Sequence, residues 1–260
     1  MIDYPRAGKR GFRRWMPSWK QVLGSFLSFI GILIGLFAIA LYMVEIPTPN
    51  AVAQAQKNVY YWSDGSQMVV AGGGDQNRQE VALSDIPQSM QNAVIAAENE
   101  TFYKDRGVDP LGITRAVINM ALGGDTQSGS TITQQYVKNT YLDQSQTISR
   151  KAKELLISIK VGAKMEKDDI LAGYLNAAFY GRGAYGIQAA AQAYYGKDSN
   201  ELDPDESAFL SSVLNGPNQY DPAGGLNRTP EQNLKAVKAR WAWTLDRQVE
   251  TGRMSETERA

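Results

Sequence analysis

The sequence predicts a mainly α-helical domain with a small β element, preceded by one N-terminal helix able to cross a bilayer. Three observations predict it. An uncharged apolar run, Val22 to Val44, follows a strongly basic start. Residues Val59 to Val70 alternate around Asp64-Gly65, and from Leu83 onward apolar residues recur at helical spacing.

Taken in chain order, the first segment, 1–20, carries Arg6, Lys9, Arg10, Arg13, Arg14 and Lys20. A bilayer core takes roughly 20 apolar residues as helix, and the run that follows meets that length. The basic flank places the N-terminus in the cytoplasm and the rest outside. Ala51 to Ala53 ("AVA") resembles a signal-peptidase site. The apolar core of a cleaved signal is only about 7–15 residues, so an uncleaved anchor over 21–45 is the expectation. Gly31 and Gly35 form a GxxxG pattern, but in so glycine-rich a run it says little about helix pairing.

Pro47 and Pro49 open a linker, and "VYYWSDGSQMVV" (Val59 to Val70) reads as a hairpin; together they fill 46–82, with "AGGGDQNRQ" as a turn. The remainder, 83–260, reads as helices near 86–99, 110–122, 131–142, 146–164, 167–179, 186–195, 204–214 and 230–252. Ser84 or Asp85 is the expected cap of the first of these, with Pro87 in its first turn.

The chain of 260 residues has 27 basic and 27 acidic side chains, no cysteine and no histidine. Disulfides, thiol nucleophiles, Ser-His-Asp triads and His-bound zinc are thereby excluded. Acid–base chemistry must fall to carboxylates, lysines or tyrosines. No repeat and no nucleic-acid motif occurs, so no nucleic-acid partner is expected.

Three stretches could carry chemistry. In "IAAENETFYKDRG" (Ile95 to Gly107), Glu98 follows Val94 by four residues and Met90 by eight, which puts it on the apolar face of its helix. It also sits at the C-terminal end, where the macrodipole disfavours negative charge. Both effects oppose the charged carboxylate, the usual preparation of a general acid or base. The alternative is an ordinary helix-end glutamate paired with Lys104 or Arg106. In "QSGSTITQQYVKN" (Gln127 to Asn139), Thr131 and Gln134 fit a capping box. The unpaired N–H groups of such a helix start suit phosphate, and Lys138 lies near the face of Thr131, Gln134 and Gln135. The plainer alternative is a capped surface helix. In "TISRKAKELLISIKVGAK" (Thr147 to Lys164), Ile148, Ala152, Leu155 and Ile159 form an apolar stripe, while Arg150 and Lys151 stand four and three residues before Glu154. Such pairs are most simply a salt-bridged face; with Lys138 they form a cationic wall fit for a diphosphate. "GRGAYG" (Gly181 to Gly186) matches the dinucleotide fingerprint in letters only. It follows a helical pattern rather than a strand, and reads as a glycine-rich turn.

In order, these segments resemble the peptidoglycan glycosyltransferase domain of class A penicillin-binding proteins. "ENETFYKDRGVD" is similar to E-D-x-x-F-x-x-H-x-G, "SGSTITQQYVKN" to G-G-S-T-I-T-Q-Q-x-x-K-N, and "RKAKE" to R-K-x-x-E. "KDDILAGYLN" is similar to K-x-x-I-L-x-x-Y-L-N, and "ESAFLSSVLNGPNQYDP" to the last motif. Asn99, Asp105 and Ser128 stand where that family has Asp, His and Gly.

The resemblance implies a lysozyme-like helical fold that polymerises lipid II at the outer face of the cell membrane. Glu98 would then be the base that deprotonates the acceptor sugar hydroxyl. Lys138, Arg150 and Lys151 would stabilise the departing lipid diphosphate, with room for a divalent cation, Mg or Mn. Ser130, Thr131, Gln134 and Gln135 would bind substrate, and Glu154 would orient the cations or the donor. Implied partners are lipid II, the growing glycan chain, membrane lipid and other cell-wall synthesis and division proteins. Such domains usually continue into a transpeptidase; no S-x-x-K serine motif occurs in this chain. Two rivals stand beside this reading: a lysozyme-like hydrolase or lytic transglycosylase, which leaves the cations idle, and a non-enzymatic cell-wall scaffold, in which Glu98 and Glu154 are dispensable.

Overall fold

The structure, a computed structural model, describes residues 4, 6, 8–49, 57–61, 67–72, 77–112, 114, 129–142, 145, 147–224 and 228–260. The chain divides into two units, Met1–Glu45 and Ile46–Ala260. In the first, a short 3-10 turn over Gly11–Arg14 precedes α1, Trp19–Met43, a helix of 25 residues. Ser18 caps α1 through a reciprocal box with Gln21. Beyond Lys20 the helix carries no charge, none of its residues is buried, and it is long and apolar enough to cross a membrane.

The second unit begins with β1 (Lys57–Tyr61) paired antiparallel to β2 (Gln67–Gly72), Val59 facing Val70. The strands are those expected; the Asp64-Gly65 turn lies outside the described residues, as do 50–56, with Ala51 to Ala53, and 73–76 of the glycine-rich turn. A second ladder, β3 (Asn77–Arg78) parallel to β4 (Ala184–Tyr185), has only two residues per strand, too few for any periodic signal.

Helices make up the rest: α2 Gln88–Glu98, α3 Ile132–Tyr141, α4 Ile148–Lys164, α5 Lys167–Ala177, α6 Ile187–Tyr195, α7 Pro204–Leu214, α8 Pro217–Tyr220, α9 Pro230–Glu250 and α10 Glu256–Arg259. Most of the expected helix over 110–122 falls outside the described residues, as does Ser128. Neither Ser84 nor Asp85 caps α2. They belong to a 3-10 turn over Leu83–Asp85, and Pro87 takes the cap position without a side-chain bond. A residue before proline is pushed out of the helical region, so Ile86 is extended and the helix cannot start earlier. The "GRGAYG" segment is a turn, with Gly181, Arg182, Gly183 and Gly186 all at positive φ, between α5 and α6.

Packing separates two groups of helices. α2 lies against α7 and α9, and α3 lies against α4 and α5. Met90, Val94 and Ile95 of α2, Ile132 and Val137 of α3, and Ile170, Leu171 and Tyr174 of α5 are fully buried between them. The stripe expected on α4 is rotated. Ile148 is 91% exposed, and the inward face is Glu154, Ile157, Ser158 and Val161. The reason is a backbone contact: a Cβ on Gly162 would stand 2.7 Å from the Gly107 backbone, and that approach fixes which side of α4 turns in.

Candidate active site

Glu98 is the last residue of α2, and its side chain is only 4% exposed. Its surroundings correct the expectation of an apolar setting. Oε2 accepts a hydrogen bond from Gln135 Nε2 at 2.8 Å, Oε1 accepts one from Asn215 Nδ2 at 3.1 Å, and Arg240 Nη2 stands 3.5 Å from Oε1. The Gln135 amide is itself oriented, because Tyr174 donates to its Oε1 at 3.1 Å and so leaves the NH2 group facing Glu98. The Arg240 guanidinium lies 3.9 Å above the Trp243 ring, a stacked support that holds a planar cation in place. Among the described residues neither Lys104 nor Arg106 pairs with Glu98. These donors fix the direction of both Glu98 oxygens.

The facing wall is built on α3 and α4. The Thr131 capping box forms as expected, with Gln134 N–H on Thr131 Oγ1 at 3.1 Å and Thr131 N–H on Gln134 Oε1 at 2.9 Å. The Thr131 hydroxyl also donates to the Gly107 carbonyl at 2.8 Å and is 2% exposed, so its hydrogen-bonding capacity is used inside the fold. On α4, Arg150 Nη1 is 2.9 Å from Glu154 Oε2, and Lys151 Nζ bonds Glu154 Oε1 and, at 3.3 Å, Ser130 Oγ. Glu154 is 2% exposed, a buried carboxylate bridging two cations.

The two walls enclose a cleft of about 280 Å3. Every residue predicted for the site except Thr131 lines it, and Asn215 joins them. Lys138 sits among Glu154, Arg150, Lys151 and Glu98. Burial holds its ammonium below the ordinary lysine range; Glu154 and Glu98 oppose that fall, while Arg150 and Lys151 deepen it. An arriving anion would offset the repulsion from Arg150 and Lys151.

The sequence reading assigned no role to Asn215 or Arg240. Asn215 lies inside a quoted motif, just past the end of α7. Arg240 lies mid-way along α9, where it looks like any basic residue on an amphipathic helix. Only the packing of α9 against α2 brings it to Glu98.

The fit of a divalent cation can be judged from the side chains. Among the described residues no group of three or more acidic side chains converges. Both carboxylates of the cleft have their oxygens occupied by nitrogen donors. This donor set does not suit a hard cation that wants six or more oxygens.

Residues 64–249 match the family model described as Transglycosylase. The chain belongs to the transglycosylase family. It is 39% identical over 267 aligned positions to penicillin-binding protein 1A of Mycobacterium tuberculosis, covering 100% of this chain and 31% of the relative. It is 36% identical to penicillin-binding protein 1A of Mycolicibacterium smegmatis, covering 95% of this chain and 32% of the relative. The transglycosylase chain thus spans about a third of these relatives. A crystal structure of penicillin-binding protein 1A from Haemophilus influenzae aligns with 82% of this chain and 20% of its own at 21% identity. Its TM-score of 0.41 is too low to bear on the fold.

Proposed function

We propose that this transglycosylase chain polymerises lipid II into glycan strands, a peptidoglycan glycosyltransferase working from the membrane. The observation that carries the reading is the division of the cleft: one donor-held carboxylate, Glu98, on one wall, and Lys138, Arg150 and Lys151 on the other. A reaction that removes a proton at one end and releases an anionic leaving group at the other needs such a division.

Glu98 takes the proton of the acceptor sugar hydroxyl as that oxygen bonds to the anomeric carbon of the growing chain. The bond from that carbon to the lipid diphosphate breaks, and its electron pair leaves with the diphosphate. Lys138, Arg150 and Lys151 meet the charge that develops there. Displacement from the opposite face inverts the anomeric centre and needs no covalent intermediate. Glu154 ties Arg150 and Lys151 to one carboxylate, so the cations are ordered before the substrate arrives. Gln134 and Ser130 line the floor beside them and offer neutral hydrogen bonds to sugar or phosphate. The apolar helix Trp19–Met43 suits an anchor, its basic flank inside and the domain on the outer face. There the lipid substrate is already confined to the same bilayer.

The hydrolase reading uses Glu98 as an acid on finished glycan and gives three cations nothing to bind. The scaffold reading gives neither wall a purpose. The test is polymerisation of purified lipid II in detergent by the anchored chain beside Glu98→Gln. Glycan from the parent and none from the variant supports the transferase. Cleavage of preformed glycan with no polymer supports the hydrolase, and inertness in both leaves the scaffold.

A further inference from the structure

The loop between Glu98 and Gly107 touches both helices that carry the cationic wall. Asn99 Oδ1 accepts the Ile132 N–H at 3.1 Å, at the first turn of α3. The Gly107 carbonyl accepts the Thr131 hydroxyl that caps the same helix. Gly107, at φ +93°, presses on α4 so closely that a Cβ there would lie 2.1 Å from the Ser158 carbonyl oxygen. The α3 helix carries Gln135 and Lys138, and α4 carries Arg150, Lys151 and Glu154. The position of Gly107 therefore relates the base to the cations.

The Gly107 N–H is held by a side chain of its own loop. Asp105 Oδ1 accepts the Gly107 N–H at 3.0 Å and, from the start of α5, the Lys167 ammonium at 2.8 Å. Lys167 also stands 4.6 Å above the ring of the fully buried Phe102. The next residue of α5, Asp168, accepts from Tyr103 OH at 3.0 Å, a second clasp on the same loop. The Asp105 and Lys167 side chains are 5% and 18% exposed.

We propose that Asp105 and Lys167 are positioning residues: their ion pair holds the loop after Glu98 so that the carboxylate and the cationic wall keep their working separation. Stability alone does not account for the pair. A buried ion pair is commonly matched or bettered by apolar side chains of similar size. Asp105 Oδ2, moreover, is buried and makes no hydrogen bond among the described residues, which is a cost. What an apolar pair cannot do is accept the Gly107 N–H.

The inference rests on the glycosyltransferase reading, and the experiment separates the two. The anchored parent chain, Asp105→Asn and the double variant Asp105→Leu with Lys167→Met are assayed for lipid II polymerisation, KM and thermal unfolding. The double variant keeps apolar packing over Phe102 and strands no charge. It is expected to unfold near the parent's temperature, with kcat reduced about 10- to 100-fold and KM within about threefold, the signature of misplaced reacting groups. Asp105→Asn keeps the acceptor for Gly107 but loses the negative charge that pairs with the Lys167 ammonium; its kcat is expected to fall about three- to tenfold at unchanged KM. A folded double variant as active as the parent overturns the proposal. So does Asp105→Asn with the parent's kcat, or with its whole loss in KM, and that arm decides even where the double variant does not fold. A parent that makes no polymer counts against the glycosyltransferase reading itself.

Discussion

The two walls of the cleft are put together by different physics. The cationic wall is local. Its residues come from two successive helices and the turn before the first, ordered by a capping box on α3 and by i,i+3 and i,i+4 pairs on α4. The wall around Glu98 is assembled from the length of the domain: Asn215 is 117 residues away and comes from the end of α7, and Arg240 comes from α9. Only the packing of α2 with α7 and α9 brings them together. The difference separates two demands. A diphosphate needs several positive charges on one surface, which a short segment can supply. A base needs one carboxylate held ionised in a buried place, and that requires donors from elements that cannot adjoin it in sequence.

The comparison predicts that the walls fail differently. Glu98→Gln keeps the size and leaves diphosphate binding alone, while removing the base; kcat is expected to fall about 10²- to 10⁴-fold. Retention of polymerisation by this variant, with binding intact, would end the assignment of Glu98 as base. On the facing wall, Arg150→Gln together with Lys151→Gln leaves neutral donors beside the buried Glu154. Affinity for a short prenyl diphosphate is expected to fall about 10- to 100-fold, with donor use harmed more than acceptor binding. Equal losses for donor and acceptor would remove the diphosphate role. Arg240→Gln tests whether the distant wall matters at all. It is expected to lower kcat roughly tenfold with prenyl diphosphate affinity unchanged. A fall in diphosphate affinity would instead place Arg240 with the cations.

Legibility in the sequence followed the same division. Helices α3, α4, α5, α6, α7 and α9 were readable because caps and apolar spacing are local signals; Thr131 with Gln134 is the clearest. The pairs at Glu154 were readable as well, since i,i+3 and i,i+4 neighbours must meet on a helix. Glu98 could be singled out, but its partners could not, and Lys104 and Arg106 were nearer in sequence than Arg240. The apolar stripe on α4 misled for a related reason. Spacing says which residues share a face, whereas the Gly107–Gly162 approach decides which face turns inward. Thr131 was readable as a cap; that its hydroxyl also ties to Gly107, and so is used within the fold, was not.

The smallest effect expected is a proton count on the cationic wall, read without any turnover. Burial, with Arg150 and Lys151 beside it, holds the Lys138 ammonium below the ordinary lysine range. In the free chain its proton is therefore lost at lower pH than a solvated lysine's, which is about 10.4. A bound diphosphate supplies negative charge and raises that pKa again, so binding at alkaline pH must take up a fraction of a proton, at most about one. The uptake appears between the lowered pKa of the free form and the raised pKa of the complex, and affinity falls as pH climbs through that window. Lys138→Arg cannot lose its proton there. Calorimetric titration with a short prenyl diphosphate, in buffers of different ionisation enthalpy, should show the uptake in the parent and its loss in Lys138→Arg. The variant's affinity should stay flat over the window in which the parent's declines. Identical proton counts for the two would mean that Lys138 does not face the diphosphate, leaving the wall to Arg150 and Lys151.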